Sequence, residues 1–145
     1  MIHIGIDPGA SGAIALIDST KPKDCNLTIL RNDWTDHDLA RAFEDVTSSR
    51  GCHAVIEKVH AMPKQGVTST FKFGESFGKL QMLLVAWQIP FEFVTPQKWQ
   101  TAMQCKSGGD KNVTKAAAQR LYPDYKITHR NADAILIAEY ARRLK

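Results

Sequence analysis

Ile2, Ile4 and Ile6 alternate with His3, Gly5 and Asp7, and the run breaks at Pro8-Gly9-Ala10-Ser11-Gly12 before a second apolar run, Ala13-Ile14-Ala15-Leu16-Ile17. Alternation of apolar and other residues is the two-residue period of a strand. A Gly/Pro-rich turn between two such runs makes a hairpin. The chain is thus committed to a sheet from its first residues, and a carboxylate stands where the first strand ends.

The remaining elements follow from the same kind of reading. Leu27-Thr28-Ile29-Leu30-Arg31 is a third strand. Asp33 or Thr35 can cap a helix whose Leu39, Phe43 and Val46 fall at i, i+4 and i+7. His53-Ala54-Val55-Ile56-Glu57 has the short apolar run of an internal parallel strand. A helix over roughly 69–88 carries Phe73, Phe77, Leu80, Leu84 and Trp87, and Pro90 closes it. Phe91-Glu92-Phe93-Val94 is a fifth strand, followed by Thr95-Pro96, a cap with proline at the first helical position. Asp110 caps a further helix after the Gly108-Gly109 loop, and a last helix carries Ile135, Leu136 and Ala138. The order β-β-β-α-β-α-β-α-α-α predicts an α/β fold. Its mixed five-stranded sheet has the first three strands antiparallel and the last two parallel to the first, with helices on its faces.

A chain of 145 residues with 43% hydrophobic content fills one domain, 1–145, and excludes a disordered chain. No apolar run reaches the ~18 residues of a membrane span. Cys25, Cys52 and Cys105 are odd in number and widely spaced, which excludes a disulfide scaffold and a zinc knuckle. These features predict a soluble protein of a reducing compartment such as the cytoplasm. Charge is unevenly spread: residues 58–126 hold 10 basic and 4 acidic side chains, residues 1–57 hold 5 and 9. The lysine-rich middle is a candidate polyanion face, or else a set of solvated helix faces.

Three acids stand at element ends. Asp7 closes the first strand, Glu57 the fourth, and Asp133 opens the last helix. Taken singly, Asp7 is a turn former, Glu57 a strand-end charge and Asp133 a helix-dipole partner. Taken together, two acids ending buried strands are costly without a cation, and parallel neighbours bring both to the sheet edge where α/β ligand sites lie. Oxygen donors without a Cys or His pair favour Mg²⁺ or Mn²⁺ over zinc. Two such ions ~3.5–4 Å apart activate a water and steady the leaving oxygen of a phosphodiester. Acidic ligands beside a basic block are the expected chemistry of a nuclease.

Ile4-Gly5-Ile6-Asp7-Pro8-Gly9 with Gly12, then Ala54-Val55-Ile56-Glu57, Thr95-Pro96, Asp110-Lys111 and Ala132-Asp133-Ala134, resemble in order the RuvC-type Holliday junction resolvases over nearly the whole chain. The resemblance implies an RNase H-like fold, a homodimer, and Mg²⁺-dependent nicking of opposed strands at a four-way junction without a covalent intermediate. Asp7, Glu57 and Asp133 match the family's metal-binding acids, and Lys111 matches a basic DNA-contacting position. The chain departs from the family's pattern three residues before the last aspartate, where Arg130 replaces the usual Asp or His. His129 is then a candidate ligand or proton donor if the helix already includes it, or a loop histidine; Asn131 is a neutral oxygen ligand or a cap.

The family carries an aromatic wedge in the region after Glu57, where this chain offers His60 or Met62 in a loop. Lys58, Lys64, Lys98, Lys106, Lys111 and Lys115 are the candidate backbone contacts. Gly74 and Gly78, with Phe73 and Phe77, lie on the helix that the family uses for its dimer contact; an aromatic stripe of this kind is also ordinary core. No membrane and no nucleotide cofactor are expected. Rival readings are a non-catalytic binder of branched nucleic acid and a nuclease of forks and flaps. An actin-like sugar kinase shares the Asp-x-Gly hairpin but needs two lobes, more than 145 residues provide.

Overall fold

The computed structural model describes residues 1–31, 33–47, 51–60, 64 and 66–144. Five strands, β1 (Ile2–Ile6), β2 (Ala13–Asp18), β3 (Leu27–Arg31), β4 (Cys52–Glu57) and β5 (Phe91–Val94), form one sheet in the order β3-β2-β1-β4-β5. β1 runs antiparallel to β2 and parallel to β4, β3 is antiparallel to β2, and β5 is parallel to β4. This is the predicted mixed sheet. β1 lies at its centre and is buried along its whole length.

Alternation along the strands divides the apolar side chains between two cores. Ile2, Ile4, Ile6, Ala54 and Ile56 pack with Leu39 and Phe43 of α1 (Asp36–Thr47) and Leu80 and Leu84 of α2 (Val67–Ala86). Each such buried Ile or Leu contributes about 1.5–3 kcal/mol. The opposite face carries α3 (Pro96–Ala102), α4 (Lys111–Leu121) and α5 (Ala132–Arg143), with Val55, Trp99, Ala118 and Ile135 in its core. His3, Gly5 and Asp7 alternate onto that second face.

Gly5 is what lets α5 settle there. A Cβ at this position would overlap the backbone of Ala134 and Ala138, so helix and strand touch without an intervening side chain. Ala134 and Ala138 are one turn apart and equally small, which keeps the groove open from the helix side.

The helix starts agree with their sequence signals in three cases. Thr95 accepts from the Lys98 amide at 3.3 Å, Asp110 from the Asn112 amide at 2.9 Å, and Thr35, not Asp33, from the Asp38 amide at 3.2 Å. α2 begins two residues earlier than its apolar stripe suggests and ends at Ala86, because Gln88 takes a left-handed φ of 53° that no helix continues through. No helix among the described residues is long and apolar enough to cross a membrane.

Candidate functional site

Parallel pairing of Ile6 with Ile56 brings the ends of β1 and β4 side by side, and with them Asp7 and Glu57. Both strand ends face α5, whose first turn carries Asp133 directly above β1. Three acids separated by 50 and 76 positions thus converge at the carboxyl edge of the sheet.

Each is held differently. Asp7 is buried; its Oδ1 accepts from the Gly9 amide at 3.0 Å, and its backbone N–H donates to the Ala13 carbonyl at 3.1 Å. Gly12 closes against it, since a Cβ there would overlap the Asp7 carbonyl and carboxyl. Glu57 is half-buried, and its Oε1 accepts from the indole N–H of Trp99 at 2.9 Å. Asp133 has a buried Oδ1 that no donor among the described residues reaches.

The electrostatics follow from burial and mutual repulsion. Burial pushes the Asp7 carboxyl above its ordinary range, with Asp133 adding to the shift and the Gly9 hydrogen bond and Lys111 opposing it. Burial likewise raises Glu57 to about 7, and the charges of Asp7 and Asp133 add to it against the Trp99 hydrogen bond and Lys111. The three acids feel one another, and none of the described cations forms an ion pair with Glu57 or Asp133.

This donor set suits a hard divalent cation. It consists of carboxylate oxygens, it includes a buried oxygen with no hydrogen-bond donor among the described residues, and neighbouring acids raise the carboxyls of Asp7 and Glu57. Among the described residues no three His, Cys, Asp or Glu side chains are drawn into one coordination shell. One oxygen of Asp7 and one of Glu57 are turned instead to Gly9 and Trp99.

The other residues singled out in the sequence fall into two groups. Lys111 opens α4 and stands close enough to act on both Asp7 and Glu57. Lys58 follows Glu57 directly and is exposed, its backbone N–H donating to the Val94 carbonyl at 2.7 Å. Lys98, Lys106 and Lys64 are exposed, on α3, on the Gly108-Gly109 loop and beyond β4; Lys115 is half-buried on α4, and His60 is exposed. Met62 lies outside the described residues.

His129 is exposed in the turn ahead of α5, which starts at Ala132, so no helical face joins it to Asp133. Asn131 spends its side chain on that turn, accepting from the Thr128 amide at 2.8 Å and donating to the Lys126 carbonyl at 3.1 Å. Arg130 donates to Asp33 at 3.1 Å. On α2, Phe73 and Phe77 are half-buried, and Phe77 packs on the core beneath and on Phe93, whereas Gly74 and Gly78 are open. Trp99 escapes sequence reasoning altogether: a tryptophan one turn into a short helix looks like core, and only the fold shows its polar edge meeting Glu57.

No protein-family model matches this chain, and no curated protein matches it in sequence. Solved structures do match it. Thermus thermophilus RuvC in complex with a Holliday junction substrate superposes with a TM-score of 0.64 at 16% identity, over 95% of this chain and 90% of that one. A second Thermus thermophilus RuvC structure gives 0.63 at 16% identity over 95% and 91%.

The fold is that of RuvC.

Strand order, the mixed pairing and the flanking helices all belong to this RNase H-like architecture. At 16% identity the likeness to RuvC is one of fold, so the chemistry has to be argued from the side chains at the sheet edge.

Proposed function

We propose that this chain is a divalent-metal-dependent endonuclease that resolves four-way DNA junctions as a homodimer. One observation carries the reading: Asp7, Glu57 and Asp133 meet at the carboxyl edge of β1 and β4, and among the described residues Glu57 and Asp133 have no ion-pair partner and a buried Asp133 oxygen has no hydrogen-bond partner. Buried acids in this state are functional-site candidates. Their placement in a fold shared with a junction-bound RuvC gives the reading its substrate class.

Asp7, Glu57 and Asp133 would hold Mg²⁺, with Mn²⁺ as a substitute. Such an ion supplies charge neutralisation at the scissile phosphate and a water of lowered pKa. The chain's own groups do the rest. Gly9 and Trp99 each orient one of these carboxylates through a hydrogen bond to one of its oxygens. Lys111 stands beside the pocket, and with the exposed Lys58, next in sequence to Glu57, it would hold the phosphates flanking the cut.

Paired nicks across a two-fold junction call for two copies of this site. Phe71, Met82 and Val85 of α2 are exposed apolar side chains on the face that also presents Gly74 and Gly78, and this stripe supports a symmetric helix-to-helix contact.

The test is incubation of the protein with labelled four-way junction, linear duplex and flap, each with Mg²⁺ or EDTA. Paired nicks in the junction alone, only with Mg²⁺, are expected. Equal cutting of the flap would point to a broader branched-DNA nuclease. Binding without any cutting would reduce the protein to a non-catalytic binder.

A further inference from the structure

The turn after β3 joins two guanidiniums to an exposed aromatic ring on the same sheet edge as the acids. Register sets the distance. Arg31 pairs with Ala13, and Ala13 takes the Asp7 amide proton, so Arg31 lies two strands from Asp7, about 10 Å at the ~4.8 Å strand spacing. That separation is covered by some three nucleotides at a rise of about 3.4 Å each.

Arg31 donates to Asp33 through Nε at 2.9 Å and again through Nη2, and Arg130 donates to the same carboxylate at 3.1 Å. Two cations therefore share one anion and keep a net positive charge. All three side chains are close to half exposed, where an ion pair is weak and yields to a better partner. A phosphate is such a partner for a guanidinium, which it can meet through two parallel hydrogen bonds. Arg130 is also the residue that departs from the resolvase pattern, three positions before Asp133. Trp34, 38% exposed, sits in the same turn, its amide donating to the Arg31 carbonyl at 3.2 Å. An open indole beside arginines is the side-chain chemistry of single-stranded nucleic acid contacts.

We propose that Trp34, Arg31 and Arg130 form a strand-holding station beside the acid pocket, in which the indole stacks on an unpaired base at the branch point and the two guanidiniums leave Asp33 for the adjoining phosphate. The assignment rests on the junction-nuclease reading and supplies an aromatic contact that His60 and Met62 do not offer.

Binding of a four-way junction in EDTA, followed by fluorescence anisotropy across a salt series, tests it. Trp34→Ala is expected to weaken binding about tenfold and Trp34→Phe to restore most of that loss. Arg31→Gln with Arg130→Gln should lower the log–log salt slope by about 1 to 2, and Asp33→Asn should tighten binding severalfold. A 2-aminopurine at the branch point should be quenched by the parent protein and left bright by Trp34→Ala. These positions are exposed, so unchanged melting curves will verify folding. Trp34→Ala and the double arginine variant binding like the parent, while Lys111→Gln is weakened, would overturn the station and leave the junction reading standing. A parent protein that binds no junction would overturn both.

Discussion

Two glutamates on the α5 side of the sheet, one buried and one half-buried, are treated in opposite ways. Glu139, near the far end of α5, is 3% exposed and sits in a cage: Arg142 donates to it at 2.6 and 2.8 Å, Arg143 at 3.2 Å, and the Tyr122 hydroxyl at 3.4 Å. Burial works to raise its carboxyl, and the arginine hydrogen bonds overcome that and leave it below its ordinary range. Glu57 has one indole N–H and a lysine at a distance, and rises to about 7. The chain can neutralise a buried acid with arginines and does so where the acid is structural. At the other end of the helix, Glu57 and Asp133 have no such partners among the described residues, which is the state an incoming cation would relieve.

The sharpest way to break this contrast is Asp7→Asn, which removes a charge without changing shape. Nicking in Mg²⁺ should fall by about a thousandfold or more while junction binding survives, since losing one such electrostatic contribution costs ~10²–10³ or beyond. Undiminished nicking on a junction gel would remove Asp7 from the site.

Paired glutamine substitutions come next, because their effects on stability should have opposite signs. The raised Glu57 carboxyl keeps its proton in the fold between pH ~4.5 and ~7, where the unfolded chain has lost it. The folded state then binds more protons, and stability falls as pH rises through that window. Glu57→Gln removes this cost and should stabilise the metal-free protein at pH 8 by up to roughly 3 kcal/mol. Glu139 is the reverse: its lowered carboxyl adds stability above its unfolded pKa, lost as pH falls through the folded value. Glu139→Gln should cost about 1.5–3 kcal/mol near pH 7. Denaturant midpoints of both variants at pH 5 and 8 decide it; two shifts of the same sign would dissolve the distinction.

Smaller effects refine the acid pocket. Trp99→Phe keeps most of the buried volume and deletes the indole N–H, worth about 1.5–3 kcal/mol to a charged acceptor. The midpoint of the pH–rate curve at limiting Mg²⁺ should move upward by about 1 unit, since Glu57 loses the donor that favours its anion. An unmoved midpoint would make the bond incidental. Lys111→Gln should weaken junction binding only a few-fold and reduce the salt slope by about 1; a salt slope equal to the parent's would place Lys111 off the DNA path.

Much of this architecture is written in short-range patterns. The Ile2-Ile4-Ile6 alternation and the apolar run 54–56 specify strands because one or both faces are buried, and strand ends then put Asp7 and Glu57 at one edge. Caps at Thr95 and Asp110 announce their helices through side-chain hydrogen bonds within three residues. What stays illegible is long range. The Trp99–Glu57 bond spans 42 residues and Arg130–Asp33 spans 97, and no periodicity encodes such partners. His129 shows the same limit at close quarters: whether it shares a face with Asp133 depends on one turn of helix, and the helix starts three residues too late.

The bare contact between Gly5 and the Ala134/Ala138 groove has a mechanical consequence. With no side chain to act as a cushion, the separation between the helix bearing Asp133 and the strand bearing Asp7 is set by backbone against backbone. Glu57 is tied to the same frame by a different route, through the Trp99 indole on α3 rather than through bare backbone contact.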